Sequence, residues 1–333
     1  LSIQRTGADG SSIGAFLNFT DQQGILLNSY YKRVNAKFSY DDNPTKWLST
    51  SVNMLVNHTW GNRTSDNPYS QGGLRTMIEQ VPFLPVSLDG EYMQNNMIRT
   101  TAILKDKNDP SRGYQGFQPE GVGNPVEIFK RVESMSYNTQ IFGNAALTFH
   151  LLKGLDLKTQ VGVDYHNGRS QGYTPFKPHQ IIDMSANGSA SASNSSSLYW
   201  QEETYLTYIK DFDKHHLNAM AGASWQARKY TYFGASDSKF MDDYYGFYNL
   251  GAGTEKPSVG SDYDKWAMNS YFLRLAYNYN NTYMATVTGR YDGSSKFGEN
   301  NKYAFFPSVG LGWLVSNEKF LENNKTISKL KLH

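Results

Sequence analysis

The sequence contains no cysteine. That single absence excludes disulfide staples, thiolate metal sites and cysteine nucleophiles together. No apolar run approaches the roughly 18 residues that a membrane-spanning helix needs. Charge of one sign is also lacking: the formal net charge is +2, so no electrostatic pull toward nucleic acid is implied. The opening LSIQRTGADG has no Met, no basic segment and no apolar segment. It carries no signal peptide and reads as a mature chain or, better, an internal piece of a longer one. There is no G-x-S-x-G, P-loop or dinucleotide fingerprint and no helical H-x-x-x-H pair, so neither a catalytic residue, a cofactor nor a metal site is assigned.

Tyrosine, glycine and asparagine are abundant instead. Aromatic residues make up 14% of the 333 residues, with 24 Tyr and 29 Gly, and mean hydropathy is negative. That composition suits β-structure with many turns. It also suits a membrane β-barrel, in which only every second strand residue must be apolar. The length admits one large domain or two, and no internal linker divides it.

Period-two alternation dominates the chain. In LDLKTQVGVDY, Leu155, Leu157, Val161, Val163 and Tyr165 share one face, and Asp156, Lys158, Gln160 and Asp164 the other. The same pattern runs through 215–226, 271–279, 283–291 and 305–315, near 13–21, 31–40, 47–59 and 137–151, and less cleanly through 198–211. A last one starts near Ile327. These give ten or eleven strands of roughly 9–15 residues, whereas a tilted membrane strand needs about 9–11 and a soluble one about 5–6. The connections 41–46, 152–154, 211–214 and 280–282 are short, and 60–136, 166–197, 230–265 and 292–303 are mostly long. Short and long alternate, save that 22–30 is short where a long one is due, which is the asymmetry of outer-membrane barrels. Helical segments are expected at Leu74–Gln80 and Pro125–Val132, and a mobile low-complexity stretch at 185–197.

Several clusters invite a chemical reading. DGSSKFGEN at 292–300 mixes acids, hydroxyls and glycine but lacks EF-hand spacing, so a structured turn is the default, with Gly293 and Gly298 permitting it. His215-His216 and the acid pairs Asp242/Asp243 and Asp262/Asp264 read first as solvated surface groups. Aromatics near strand ends, such as Tyr40, Trp47, Tyr165, Trp225, Tyr279, Tyr283, Tyr291 and Trp313, read as interfacial girdles. The aromatics assigned to loops, Trp60, Tyr114, Phe117, Tyr173, Tyr244, Tyr245 and Tyr248, either pack within their loops or contact a ligand or lid. The cations Arg33, Lys37, Lys158, Arg274 and Arg290 fall on the polar face, toward an enclosed lumen.

Several runs carry a resemblance: LNFTDQQGILLNSYYKRVNAKFSYD at 17–41, LLKGLDLKTQVGVDY at 151–165, DFDKHHLNAMAGASWQ at 211–226 and, most specifically, RYDGSSKFG followed by FPSVGLGW within 270–321. They resemble the SusC/RagA family of TonB-linked outer-membrane transporters over nearly the whole chain. The resemblance implies an all-β, antiparallel transmembrane barrel of about 22 strands, occluded by an N-terminal plug. It implies import of oligosaccharides or peptides into the periplasm of a Gram-negative bacterium, energised through TonB–ExbB–ExbD and capped by a SusD-like surface lipoprotein. On this reading the whole of 1–333 is part of the barrel domain, without plug, TonB box or signal peptide. The five lumen cations then hold the plug or line the substrate path, and the protein is no enzyme. A partial sheet would leave two open edges that lipid cannot satisfy. A surface glycan-binding or adhesin module and a TonB-dependent metal-chelate receptor are the alternatives.

Overall fold

The computed structural model describes residues 1–7, 10–63, 77–80, 82, 85–88, 90–92, 104–105, 113–114, 124–176, 187–321 and 327–333. One antiparallel sheet of twelve strands follows chain order throughout. It begins with β1 (Ser2–Thr6), β2 (Ser12–Gln23), β3 (Tyr30–Thr45) and β4 (Leu48–Asn62). The 63–132 connection carries two small ribbons, β5 (Ser87–Leu88) with β6 (Glu91–Tyr92) and β7 (Leu104–Lys105) with β8 (Gly113–Tyr114). The sheet resumes with β9 (Glu133–Leu152), β10 (Leu155–Phe176), β11 (Asn187–Phe212), β12 (His215–Ser238) and β13 (Ser258–Tyr279). It ends with β14 (Tyr283–Ser294), β15 (Tyr303–Leu314) and β16 (Lys331–Leu332). Each strand pairs with its predecessor and successor, so the sheet is an uninterrupted meander, the topology of a barrel wall.

Several expectations from the sequence are corrected. β1 carries no alternation signal and was not anticipated. β10 to β13 are 22, 26, 24 and 22 residues long, against the expected 9–15. The serine-rich 187–197 is not a mobile loop but the first half of β11, paired with β10 and β12 residue by residue. A ladder needs only backbone N–H and C=O groups, so small polar residues extend it where no apolar face has to be covered. The turn after β3 is confined to 46–47, and 315–330 is long at the end where short turns are the rule. The expected helix forms as Pro125–Arg131, with proline in its first turn and the Asn124 side chain accepting from Val126 and Glu127 N–H. Of the other, residues 77–79 are helical and 74–76 lie outside the described residues.

The tight turns follow their residues. Asn280 and Asn281 both take positive φ, and Thr282 N–H donates to Tyr279 C=O at 2.9 Å, the mirror-image turn that suits a right-twisted hairpin. Gly154 has φ +78, and a Cβ there would run into the backbone carbonyl of Ile209 on the next hairpin. Gly154→Ala is expected to cost at least the left-handed strain of about 1–2 kcal/mol, read as a lowered urea midpoint of the refolded full-length protein.

The sheet is inverted relative to a soluble domain. Its apolar face is open, with Val309 69% and Leu311 71% exposed, while polar Ser224 and Ser270 on the opposite face are buried, Ser270 to 1%. The register adds the geometry. Trp60 and Tyr137 share one ladder row; Tyr165 lies four residues below it, and Trp200, Trp225 and Tyr271 each two further down. Tyr291 and Phe305 stay in the row of Tyr271. This aromatic line therefore slips by about 1.4 residues per strand, which at about 3.3 Å per residue and about 4.8 Å between strands is a tilt of about 45°. A second line below it ends in the row Phe212, His215, Tyr279, Tyr283 and Trp313. Two aromatic girdles at one tilt are what an obliquely staved barrel presents to lipid.

Candidate functional site

The open apolar face presents only exposed hydrocarbon and rings, so specificity has to come from the polar face and the loops. All five predicted cations stand on the polar face, as the register carries Arg33 to Thr59, Lys37 to Leu55, Lys158 to Tyr205, Arg274 to Met220 and Arg290 to Phe272. They do not form one cluster. Arg290 donates to Asp292 at 2.7 Å and to Ser270 at 3.0 Å, and its guanidinium lies 6.0 Å from the Phe272 ring. The Lys158 ammonium lies 6.0 Å from the Tyr205 ring. Arg33 carries a buried Nε without a hydrogen-bond partner among the described residues.

The more organised feature lies between them. One ladder row runs Lys37, Leu55, Phe142, Asp164, Tyr199, Arg228 and Trp266 across β3, β4 and β9 to β13. It sets aromatic rings between charged groups on a single level. The Tyr199 and Trp266 rings are 6.1 Å apart. Beside this row, Gln160 and Gln201 both donate to Glu203 at 2.7 Å, and the Tyr199 hydroxyl lies 2.7 Å from the side-chain oxygens of Gln201 and Gln226. Gln140 donates to Asp164 at 3.3 Å. Gly162 sits in register between Asn144 and Gln201, and its missing side chain leaves a hollow of about 220 Å³ edged by Phe142, Asp164 and Tyr199. Rings beside amides and a carboxylate can stack on a sugar or a peptide plane and hydrogen-bond its edge. The sequence places Gln160 and Asp164 on the polar face but does not mark a site there: uncharged amides carry no pattern of their own, and the network exists only once β9 to β12 pair.

The predicted loop aromatics part company. Trp60 is not in a loop but within β4, on the apolar face, with its ring 5.3 Å from His58 and 6.5 Å from Phe19. Tyr173 is within β10 and buried, packed with Ala190, Phe240 and Phe247. The Tyr114 side chain and Phe117 lie outside the described residues. Tyr244, Tyr245 and Tyr248 are exposed, on the 239–257 connection. That connection is anchored from below: Asp243 accepts from the Tyr173 hydroxyl and from Arg131, both at 2.6 Å, and Arg131 also holds Glu127 at 2.7 Å. Burial, together with the Asp243 carboxylate, pushes the Tyr173 phenol well above its ordinary range. The three tyrosines thus sit on a folded pedestal.

The histidine and acid pairs that carried an ion-site alternative, Asp264 apart, have other partners among the described residues. His215 meets the Tyr277 hydroxyl and His216 meets Asp211, on opposite faces of β12. Asp242 accepts from Tyr244 N–H and Asp262 from Tyr263 N–H. Among the described residues no three His, Asp or Glu side chains converge. In DGSSKFGEN, 292–294 belong to β14 and the connection begins at 295; Gly293 permits no turn there but leaves room for the Tyr303 ring.

No family model matches the chain. Curated relatives do. It is 28% identical to TonB-dependent receptor P26 of Formosa agariphila over 334 residues, 99% of this chain and 31% of that protein. It is 26% identical to TonB-dependent receptor SusC of Bacteroides thetaiotaomicron over 335 residues, 95% of this chain and 31% of that protein. The chain thus spans about three-tenths of the length of the curated relatives it matches. Among solved structures it superposes on the RagAB peptide transporter with a TM-score of 0.73 at 22% identity, covering 99% of this chain and 35% of that one, a likeness of fold. The resemblance read from the sequence is matched over nearly the whole chain, and the fold is a part of an antiparallel outer-membrane-type barrel.

Proposed function

We propose that the chain forms part of the wall of an active importer in the outer membrane of a Gram-negative bacterium, taking up oligosaccharides, or else peptides, into the periplasm. The import is energised through TonB–ExbB–ExbD by parts of the protein beyond this segment, and a SusD-like lipoprotein closes the extracellular side. The observation that carries the reading is the lumen row of Phe142, Asp164, Tyr199, Arg228 and Trp266 with its adjoining amide network. It offers stacking rings and hydrogen-bonding edges at one level, as passage of a polar, multi-unit substrate requires. Relatives named as TonB-dependent receptors support the energy source, and the exposed Tyr244, Tyr245 and Tyr248 offer a lid contact.

The test is made on the full-length protein. Replacing both Tyr199 and Trp266 by Ala removes two rings, each worth about 0.5–1.5 kcal/mol in a pair. Uptake of a labelled oligosaccharide library and of a peptide library is measured with outer-membrane abundance held equal. Loss of one library's uptake by about tenfold is expected; unchanged uptake of both would remove the lumen row from the transport path.

A further inference from the structure

A second built feature lies on the opposite, apolar face. At the upper aromatic line a groove of about 400 Å³ runs between Trp200 and Trp225 on one side and Tyr303 on the other. Its floor is mostly small: Ala227 faces Ala267 in register and Gly293 sits beneath Tyr303, while Asn269 donates to the Tyr303 hydroxyl at 3.1 Å and Lys302 also lines the groove. A dent of this width between ring ridges fits a chain of methylenes. Immediately above the alanines, two residues further along each strand, Lys229 and Lys265 stand directly opposite one another on the same face, both exposed. Like charges directly opposed across a ladder destabilise a sheet, and neither lysine makes an ion pair among the described residues.

The acids nearby do not answer them. Asp262 and Asp264 alternate with Lys265 along β13 and therefore stand on the polar face. Glu202 is on the apolar face, in the row of Trp225, but its carboxylate accepts from the Thr159 and Thr204 hydroxyls, two ladder rows further from the lysines. Asp262 and Asp264 thus stand on the lumen face, with Arg228 of the adjoining strand, and leave Lys229 and Lys265 without an acid beside them on their own side.

We propose that this groove binds an outer-leaflet lipid bearing phosphate, its acyl chain on the Ala227/Ala267 floor and its phosphate between Lys229 and Lys265. The inference rests on the reading of the chain as outer-membrane barrel wall. The pairing of an apolar trough with an unanswered dication directly above it matches the two ends of such a lipid and neither end of a free phosphate or a neutral amphiphile.

Native mass spectrometry of the full-length protein in detergent tests it, with lipid A, dephosphorylated lipid A and inorganic phosphate as probes. Lipid A is expected to be retained, and dephosphorylated lipid A and the K229Q/K265Q double variant each to lose about tenfold or more of that affinity. Filling the floor in A227L/A267L is expected to weaken lipid A without creating phosphate binding. Equal retention by wild type and K229Q/K265Q, or displacement of lipid A by inorganic phosphate, would overturn the proposal. Outer-membrane fractionation and heat-modifiable migration of the same preparations separate the two readings. A barrel that assembles there yet ignores the lysines refutes the lipid site alone, whereas a wild-type protein absent from the outer membrane refutes the barrel-wall reading itself.

Discussion

Leu275→Arg is expected to destabilise the assembled full-length barrel by about 2–4 kcal/mol, the cost of a cation on the lipid face near the bilayer midplane. Leu275 lies on β13 between the two aromatic lines, four residues from Tyr271 and four from Tyr279, and is 42% exposed on the apolar face. The preceding residue is already an arginine. Arg274 is tolerated because it stands on the polar face, in register with Met220 and Thr288. Thr286→Arg, on that same polar face and opposite Ala276 and Gly310 rather than another cation, is therefore the matched control. Urea unfolding from bilayers is expected to show the large loss for the first variant and a small one for the second. Equal losses would mean that the register does not separate a lipid face from a lumen face.

Phe247→Ala is expected to release the 239–257 connection while leaving the wall intact. Phe247 is 6% exposed and packs with Tyr173, Ala190 and Phe240, with Met135, Leu250 and Ala252 around them. Truncating a buried phenylalanine costs about 3–5 kcal/mol, and a surface connection spends that locally rather than on global unfolding. Hydrogen exchange should rise across 239–257 and stay unchanged in β10 and β12 below the upper aromatic line. Proteolysis should cut first near the exposed Tyr244 and Tyr248. The polar anchor adds a pH statement. The folded-state pKa of Tyr173 is raised, above an ordinary value of 10.0, by burial first and by the Asp243 hydrogen bond second. Its stabilisation is complete below that ordinary value and is lost only as pH rises through the raised one. Docking of the connection should therefore not change between about pH 6 and 9. A transition in exchange rates within that window would assign the anchor to some other group.

The apolar alternation of 155–165 and 271–279 marked strands because lipid demands it, and parity alone then put Arg33, Lys37, Lys158, Arg274 and Arg290 on one face. Turns written in Gly154 or Asn280-Asn281 were equally plain, since few residues accept positive φ. Where the chain leaves lipid, the demand ceases and so does the signal. Ser193, Ser195 and Ser197 continue β11 with nothing in the local sequence to say so. For the same reason Tyr173 reads as a loop residue, although it is held in β10 and covered by a connection some seventy residues later. The amide network around Glu203 is a property of strand pairing, and neither Gln160 nor Gln226 announces its partner.

The unequal strands make the mouth of the wall oblique. β11 continues thirteen residues beyond Trp200, and β14 only three beyond Tyr291. At about 3.3 Å per residue and a tilt of about 45° this is a parapet of roughly 30 Å on one flank and a sill of roughly 7 Å on the other. The upper edge of this part of the wall is therefore a slope, and any surface that seats on it must be cut to the same slant.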